Sequence, residues 1–322
     1  MKTGKVSETV FKRSILKYAG KQHENILMGM HVGSDCAVFS FDGNTVTMSV
    51  VNQFSETPEE LITRLLNKYA AENANLKAVA INLLLSENTE ESFLKDFTDR
   101  VSKALKSCGA AIASVNASVS VDVKETKIVI TGIGEAVRLK KNTVKAGDDI
   151  VITKWIALEA TEKIAHIKEA ELNQKFPAKY IYDAKNFDKY LSVIPEAATA
   201  VKSDVTAMHY LSEGGVFGGL WEFAESEGVG LSIDLKKIPI KQETIEIFNY
   251  YDLNPYLALS GGSMILTARD GNALVFKLKE QGINAVCVGK VTASKDRVVI
   301  SDDFTRFLEP SKEDELYKIP RA

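Results

Sequence analysis

The residues best placed to do chemistry lie between Ala207 and Asp234, AMHYLSEGGVFGGLWEFAESEGVGLSID, where paired glycines run directly into an amphipathic helix and a return strand. Gly214 and Gly215 would let backbone N–H groups approach a ligand closely, and Ser212 is suited to cap the helix that follows. Behind them Val216, Phe217, Leu220, Phe223 and Ala224 form the apolar stripe that anchors such a helix. A helix start of this kind attracts anions, phosphate among them, because its first N–H groups have no partner inside the helix. The same residues also make a tight, close-packed turn, and that plainer alternative stands beside the phosphate site. Glu213 divides in the same way, as a ligand contact or as an acid favouring the helix dipole from the first turn. His209, one of four histidines, could be proposed as an acid or base, yet beside a glycine motif its simpler role is to orient the loop.

The elements that must position these residues are legible from periodicity. Ser7 caps a first helix carrying Val10, Phe11, Ile15 and Tyr18 on one face. Strands at 37–41 and 45–51 flank Asp42-Gly43-Asn44, a hairpin signal because Asp and Gly tolerate the positive φ of such turns. Thr57-Pro58 opens a helix to about Ala74, with Leu61, Ile62, Leu65, Leu66 and Tyr69 along its stripe. The apolar run 78–85 reads as a strand, Thr89 caps a helix bearing Phe93, Phe97, Val101 and Leu105, and strands near 111–121 and 127–134 follow. The order β-β-α-β-α-β-β predicts an α+β N-terminal domain, a mixed sheet with helices on one face. A boundary near 138–148 divides the chain into residues 1–140 and a C-terminal α/β domain, 141–322, whose first strand is 149–155.

At 322 residues the chain exceeds the usual size of one hydrophobic core, so two domains are expected. Its 45% hydrophobic and 26% charged residues are ordinary for a soluble protein, and no apolar run is long enough to cross a bilayer. The opening MKTGKVSETVFKRS lacks the apolar core of a secretory signal, which gives a cytoplasmic expectation. Cys36, Cys108 and Cys287 are widely spaced without a nearby His, a pattern that fits buried thiols better than disulfides or zinc ligands. A net charge of −3 with lysines interleaved among glutamates excludes nucleic acid as the expected partner, and Arg138, Lys140, Lys141 and Lys145 read as a solvated connection between domains.

Five stretches taken in order carry a resemblance over nearly the full chain. They are Gly33-Ser34-Asp35-Cys36-Ala37-Val38; Leu83-Leu84-Leu85 leading to Thr89; Gly147 to Trp155; the segment 207–234; and Asn254-Pro255-Tyr256 with Ser260-Gly261-Gly262-Ser263-Met264. In these the chain resembles the aminoimidazole ribonucleotide (AIR) synthase superfamily, and within it the AIR synthase-related proteins of the hydrogenase-formation protein E type. The resemblance implies an AIR synthase-like two-domain fold and a homodimer made by joining N-terminal sheets. It also implies ATP with Mg²⁺ held by aspartates on several short motifs.

The motifs are eroded here. The first keeps Asp35 but has Ser34 where the family has a second acid, and the Ser-Thr-Asp-Pro motif is Ser49-Val50-Val51-Asn52. The Asn-Asp-Ile-Ala motif is Asn67-Lys68-Tyr69-Ala70, and Gly-Gly-His-Thr-Glu falls on Ser114-Val115-Asn116-Ala117-Ser118. Tyr210 replaces an aspartate before Ser212, Glu213, Gly214 and Gly215, while Ala157 and Ala160 replace glycines. Mg²⁺ needs oxygen ligands, and Val51, Lys68 and Tyr210 supply no carboxylate. Unit charges 4 Å apart at an effective dielectric near 20 interact by about 4 kcal/mol, so a divalent ion beside a protonated Lys68 meets roughly twice that repulsion. Lys68 could instead bind phosphate itself, as a point charge, or be a solvated lysine.

The candidate contacts for an anion or nucleotide are therefore Asp35, Asn67, Lys68, Ser212, Glu213, Gly214 and Gly215, with no catalytic residue and no metal ligand assigned. No cofactor is assigned either, and ATP with Mg²⁺ would return only if the ligand set were rebuilt. Relatives of this type end in a Pro-Arg-Ile-Cys tail whose thiol carries the group they convert; the sequence here reads Ile319-Pro320-Arg321-Ala322, so that reaction is not expected. The expected function is a non-catalytic or regulatory member of the group, with a phosphate-containing small molecule or a maturation protein as partner. The alternative is an ATP-dependent enzyme or hydrogenase maturation factor with rearranged ligands.

Overall fold

The structure is a computed structural model that describes residues 8–12, 26–28, 31, 36–41, 44–52, 57–136, 144–302, 304–310 and 313–320. These form two compact units. Helix α1 (Glu8–Phe11) and His31 group with the second unit, because Lys12 pairs with Glu225 and His31 Nε2 lies 3.0 Å from Ser226 Oγ. Ile15, Tyr18, Asp35, the Asp42-Gly43 turn and residues 137–143 lie outside the described residues, as does the expected cap at Ser7.

The first unit is built on a six-stranded sheet with strands β1 (Ile26–Met28), β2 (Ala37–Phe41), β3 (Asn44–Asn52), β4 (Ala74–Leu85), β5 (Ala111–Val119) and β6 (Lys127–Ala136). Their spatial order is β1-β2-β3-β6-β4-β5, and all pairs are antiparallel except β4 with β5. Helices α2 (Pro58–Ala71) and α3 (Glu91–Ser107) cover one face. Helix α2 starts with a full capping box: Thr57 Oγ1 accepts from the Glu60 N–H, and the Glu60 carboxylate accepts from the Thr57 N–H at 2.7 Å. Thr89 does not cap α3. Its hydroxyl bonds those of Thr126 and Ser86, and Glu90 precedes the helix without a side-chain cap bond.

Alternation along the strands then sorts the side chains. Val51, Val79, Ile81, Leu83, Ile128 and Ile130 face the helices and pack with Leu61, Leu65, Tyr69, Phe97, Val101 and Leu105. The opposite face carries Met48, Val50, Leu84 and Ile133, each 38–44% exposed. Of the three cysteines only Cys36 is buried; Cys108 is exposed and Cys287 intermediate, so the expectation of three buried thiols holds for one.

The second unit holds β7 (Asp149–Thr153), β8 (Val205–Tyr210), β9 (Gly230–Asp234), β10 (Met264–Ala268), β11 (Ala285–Thr292), β12 (Arg297–Ser301) and β13 (Phe304–Phe307). The order is β13-β12-β9-β11-β7-β10-β8, with only β12 and β9 parallel. Helices α4 (Leu158–Ile167), α5 (Glu169–Leu172), α6 (Ala178–Lys185), α7 (Ile194–Val201), α8 (Gly215–Glu227), α9 (Gln242–Tyr250) and α10 (Gly271–Glu280) complete it. Two cores result: α8 packs Val216, Phe217, Leu220, Phe223 and Ala224 against Ile150, Ile152, Ile233 and Ile265, and α4, α6 and α9 share a second cluster around Ile164, Ile181 and Phe248. No described helix is long and apolar enough to cross a membrane.

The two faces of the first sheet predict opposite responses to truncation. Leu65→Ala should cost about 2–5 kcal/mol by leaving a core cavity. Leu84→Ala, on the uncovered face, should change the stability of the isolated protomer by no more than about 0.5 kcal/mol. Urea unfolding of both variants at submicromolar concentration measures the difference.

Candidate functional site

Three of the eroded motifs converge in the first unit. Tyr69 is locked into the core beneath β3 by a bond from its hydroxyl to the Thr47 carbonyl at 3.2 Å, which fixes the rotation of α2. That rotation turns Lys68 toward β3, where its Nζ donates to the Val50 carbonyl at 3.2 Å. On the other side Cys36 Sγ lies 4.0 Å from the Lys68 carbonyl oxygen. The positions represented by Cys36, Val51 and Lys68 are thus neighbours. Asn67 is buried beside them, and Arg64, one turn earlier on α2 and also buried, adds a second cation that the sequence reading passed over. Its signal was available: Arg64 and Lys68 are four residues apart and so share a helix face. Asp35 lies outside the described residues. Asn116, Ala117 and Ser118 lie on β5, an edge strand exposed along most of its length.

Magnesium does not fit this arrangement. Val51 and Lys68 put a methyl-bearing chain and an ammonium where a hard cation would need oxygen anions. Among the described residues no group of three His, Cys, Asp or Glu side chains is placed to hold a metal.

In the second unit Ser212, Glu213, Gly214 and Gly215 form a turn at the start of α8. Gly214 and Gly215 both have left-handed backbones, φ +87° and +67°, a run that strongly favours glycine. A Cβ on Gly215 would lie 2.5 Å from the Tyr256 carbonyl oxygen, so close backbone packing is a second reason for glycine there. Helix α8 begins at Gly215 with Gly214 as its N-cap and no side-chain cap bond; Ser212 contributes its carbonyl instead, accepting from Gly215 and Ser260. Glu213 precedes the helix and accepts from the Tyr317 hydroxyl at 2.9 Å, so it is not an acid of the first turn.

The Gly214 N–H already has an anion on it. Asp314, far along the chain and buried, accepts from Gly214 at 2.7 Å with one oxygen, and from Leu259 at 3.1 Å and Leu316 at 3.0 Å with the other. Burial pushes its carboxyl up to about 6, with nearby Glu213 adding to the rise and the three N–H donors opposing it. The spacing of the sequence marks Asp314 only as a cap for the turn that follows, through Leu316, because Gly214 and Leu259 are distant residues of other segments.

At the end of β7 a further charged pair is taken out of water. Lys154 Nζ meets Glu196 at 2.8 Å and donates to the carbonyls of Tyr190 at 2.7 Å and Ser192 at 2.5 Å. Burial lowers the lysine pKa, while the carboxylate opposes that shift. Beside it Lys241 Nζ lies 4.1 Å from the Trp155 ring centre and 5.5 Å from those of Phe187 and Tyr190, so Trp155 is half-buried under a cation and is not plain core. Tyr210 and His209 are buried at the end of β8, His209 against Phe223 with its Nε2 3.9 Å from Glu222. Ala157 holds φ +55° at the start of α4, a backbone that suits the glycine implied there by the resemblance.

Glu196→Ala should cost about 3–5 kcal/mol, since it leaves a buried ammonium without its counter-charge. The double change Lys154→Met with Glu196→Leu should recover at least half of that loss. Equilibrium unfolding of the two proteins measures both.

Comparison with known proteins places this geometry. Residues 145–302 match the family described as AIR synthase related protein, C-terminal domain. A protein of Methanocaldococcus jannaschii named for hydrogenase expression and formation is 24% identical over 313 residues, covering 92% of this chain and 91% of its own. Thiamine-monophosphate kinase of Pyrococcus horikoshii is 30% identical over 199 residues, 59% of this chain and 60% of the enzyme. Among solved structures, the hydrogenase maturation protein HypE in complex with ATP superposes with a TM-score of 0.69 at 16% identity, over 97% of this chain and 96% of that one. The HypE–HypF complex gives 0.72 at 16% identity, over 93% and 99%.

Proposed function

Taking the chain as what these likenesses make it, an AIR synthase-related protein, we propose that it is a non-catalytic or regulatory homodimer. Its former nucleotide site binds a phosphate-bearing ligand without metal. The observation that carries this reading is the Lys68–Val50 contact, which brings the lysine of one eroded motif against the valine strand of another. Two positions where the resemblance expects carboxylates are adjacent, and one of them is now a cation. Arg64 lies on the same helix face, and a guanidinium, like an ammonium, is suited to phosphate. The bond from Lys68 to a backbone carbonyl is compatible with this, since an ammonium has three donors and can keep one while offering another.

The uncovered face of the first sheet supports the homodimer. Met48, Val50 and Ile133 cluster, with Leu84 further along, on a sheet face opposite the one the helices cover, and burying such exposed apolar side chains favours pairing of protomers.

A working ATP-dependent maturation factor is the second reading. Solved relatives of the same fold hold ATP or AMPPCP, and HypE is solved with a partner protein, HypF. Thermal unfolding with inorganic phosphate, ATP, and ATP with Mg²⁺ separates the two. The metal-free reading expects stabilisation by phosphate or ATP alone, about 2.7 kcal/mol at 100 times the dissociation constant. That shift should be lost in Lys68→Glu and should not grow with Mg²⁺. A shift that requires Mg²⁺ favours the second reading, and no shift with any of the three sinks both.

For the dimer, sedimentation at micromolar concentration should give two protomers for the wild type. Val50→Asp and Leu84→Asp should give one, because each buries a charge without a partner. A monomeric wild type would overturn it.

A further inference from the structure

Helices α5 and α6 are joined by the turn 173–177 and fold back on one another, because Lys185 in the last turn of α6 meets Glu169 at the start of α5 at 2.7 Å. Between them lies a solvent-open cleft of about 370 Å³. Its lining includes Ile181, only 1% exposed because its side chain belongs to the core of α4, α6 and α9, and Tyr182 one residue on, 66% exposed. A volume of this size suits a small molecule, and an aliphatic floor beside an aromatic wall suits one with a flat apolar part.

The polar groups of the lining divide by what they already bind. Glu169 and Lys185 neutralise each other where the outer ends of the two helices meet. Asn173 and Lys179 lie at the other end, beside the turn, and among the described residues neither side chain has a hydrogen-bonding or ionic partner. Two lysines and one glutamate leave a single positive charge on the lining, and Lys179 carries it uncompensated. Helix α6 starts at the same end with no acid in its first turn and no side-chain cap bond, so its dipole adds to the positive potential there.

We propose that the α5–α6 cleft is a binding site for a small aromatic anion, an oxyanion carried on a planar ring. The oxyanion is held by the Lys179 ammonium and the Asn173 amide, which bring five N–H donors between them. The ring lies over Ile181 against Tyr182, and the Glu169–Lys185 pair closes the far end. A solvated lysine or an exposed ring alone is ordinary on a protein surface. Here both border one cleft with a buried floor, and the only carboxylate on its lining is already committed to a lysine, which selects an anion over a cation. The cleft lies wholly within the second unit and is independent of Lys68.

Methyl NMR of the full chain labelled at isoleucine tests this, with benzoate, phenyl phosphate, inorganic phosphate and neutral benzamide as probes. The Ile181 methyl signal should shift saturably with benzoate or phenyl phosphate. Benzoate alone would assign a carboxylate, phenyl phosphate alone a phosphate monoester, and both the shared oxyanion. Lys179→Glu and Tyr182→Ala change exposed side chains and should each weaken the response by at least about tenfold. Lys68→Glu should leave it unchanged, so that loss of the first-unit site and loss of this one are told apart. No saturable shift with either aromatic anion at tens of millimolar, an equal response in Lys179→Glu, or inorganic phosphate or benzamide binding as tightly as the aromatic anions would overturn the proposal.

Discussion

A polar group taken out of water must find its partner inside the protein, and in the second unit this constraint decides how distant segments meet. Asp314 satisfies two N–H donors from the 214 turn and the 254–260 loop besides one of its own segment, so one carboxylate holds three stretches of chain. Lys154 does the same at the end of β7, binding Glu196 on α7 and two carbonyls from 190–192. Removing either hub would leave several groups unsatisfied at once. The apolar cores around α8 and α4 supply the bulk of the burial, but they would tolerate small slides that these directional contacts do not.

The same constraint explains what became of the helix start. A glycine pair opening onto a helix offers donors that some oxygen must meet. In this chain the oxygen comes from within, and the two accounts of Gly214 and Gly215 turn out to describe different properties of one turn. Their left-handed backbones and the closeness of Tyr256 meet the demands of packing, while the N–H of Gly214 holds a carboxylate as an anion-attracting helix start would.

Much of the fold was legible because it rests on local signals. The capping box at Thr57, the alternation through β4 and the stripe of α8 each lie within about a dozen residues, and periodicity reads at that range. The misreadings are local rules overridden by tertiary partners. Thr89 has a cap residue's chemistry, but Thr126, just ahead of β6, claims its hydroxyl at 2.7 Å. Ser212 likewise sits two residues early, because the N-cap is the left-handed Gly214 and the helix begins at Gly215. The site was half legible. Lys68 stood out by its departure from a motif and Arg64 by its helical spacing from Lys68, whereas the pairing of Lys154 with Glu196 and the bonds of Asp314 to Gly214 and Leu259 exist only once the chain has folded.

The two units treat the positions where the resemblance expects carboxylates in contrasting ways. In the first, hydrophobic and cationic side chains replace acids, and Val51 joins the core while Lys68 turns to a carbonyl. Such replacements remove the need for a metal to hold like charges together, so the unit can be stable with no ion bound. In the second, the Asp314 carboxylate meets the turn before α8 from a segment distant in sequence, and three backbone N–H donors face it. A backbone donor cannot be lost by substitution of its side chain, so this arrangement is robust at the donor end and depends on one residue at the acceptor end. At the turn before α8 the donor side is already met by Asp314, so any anion binding at the Gly214 N–H must compete with a partner the chain itself supplies.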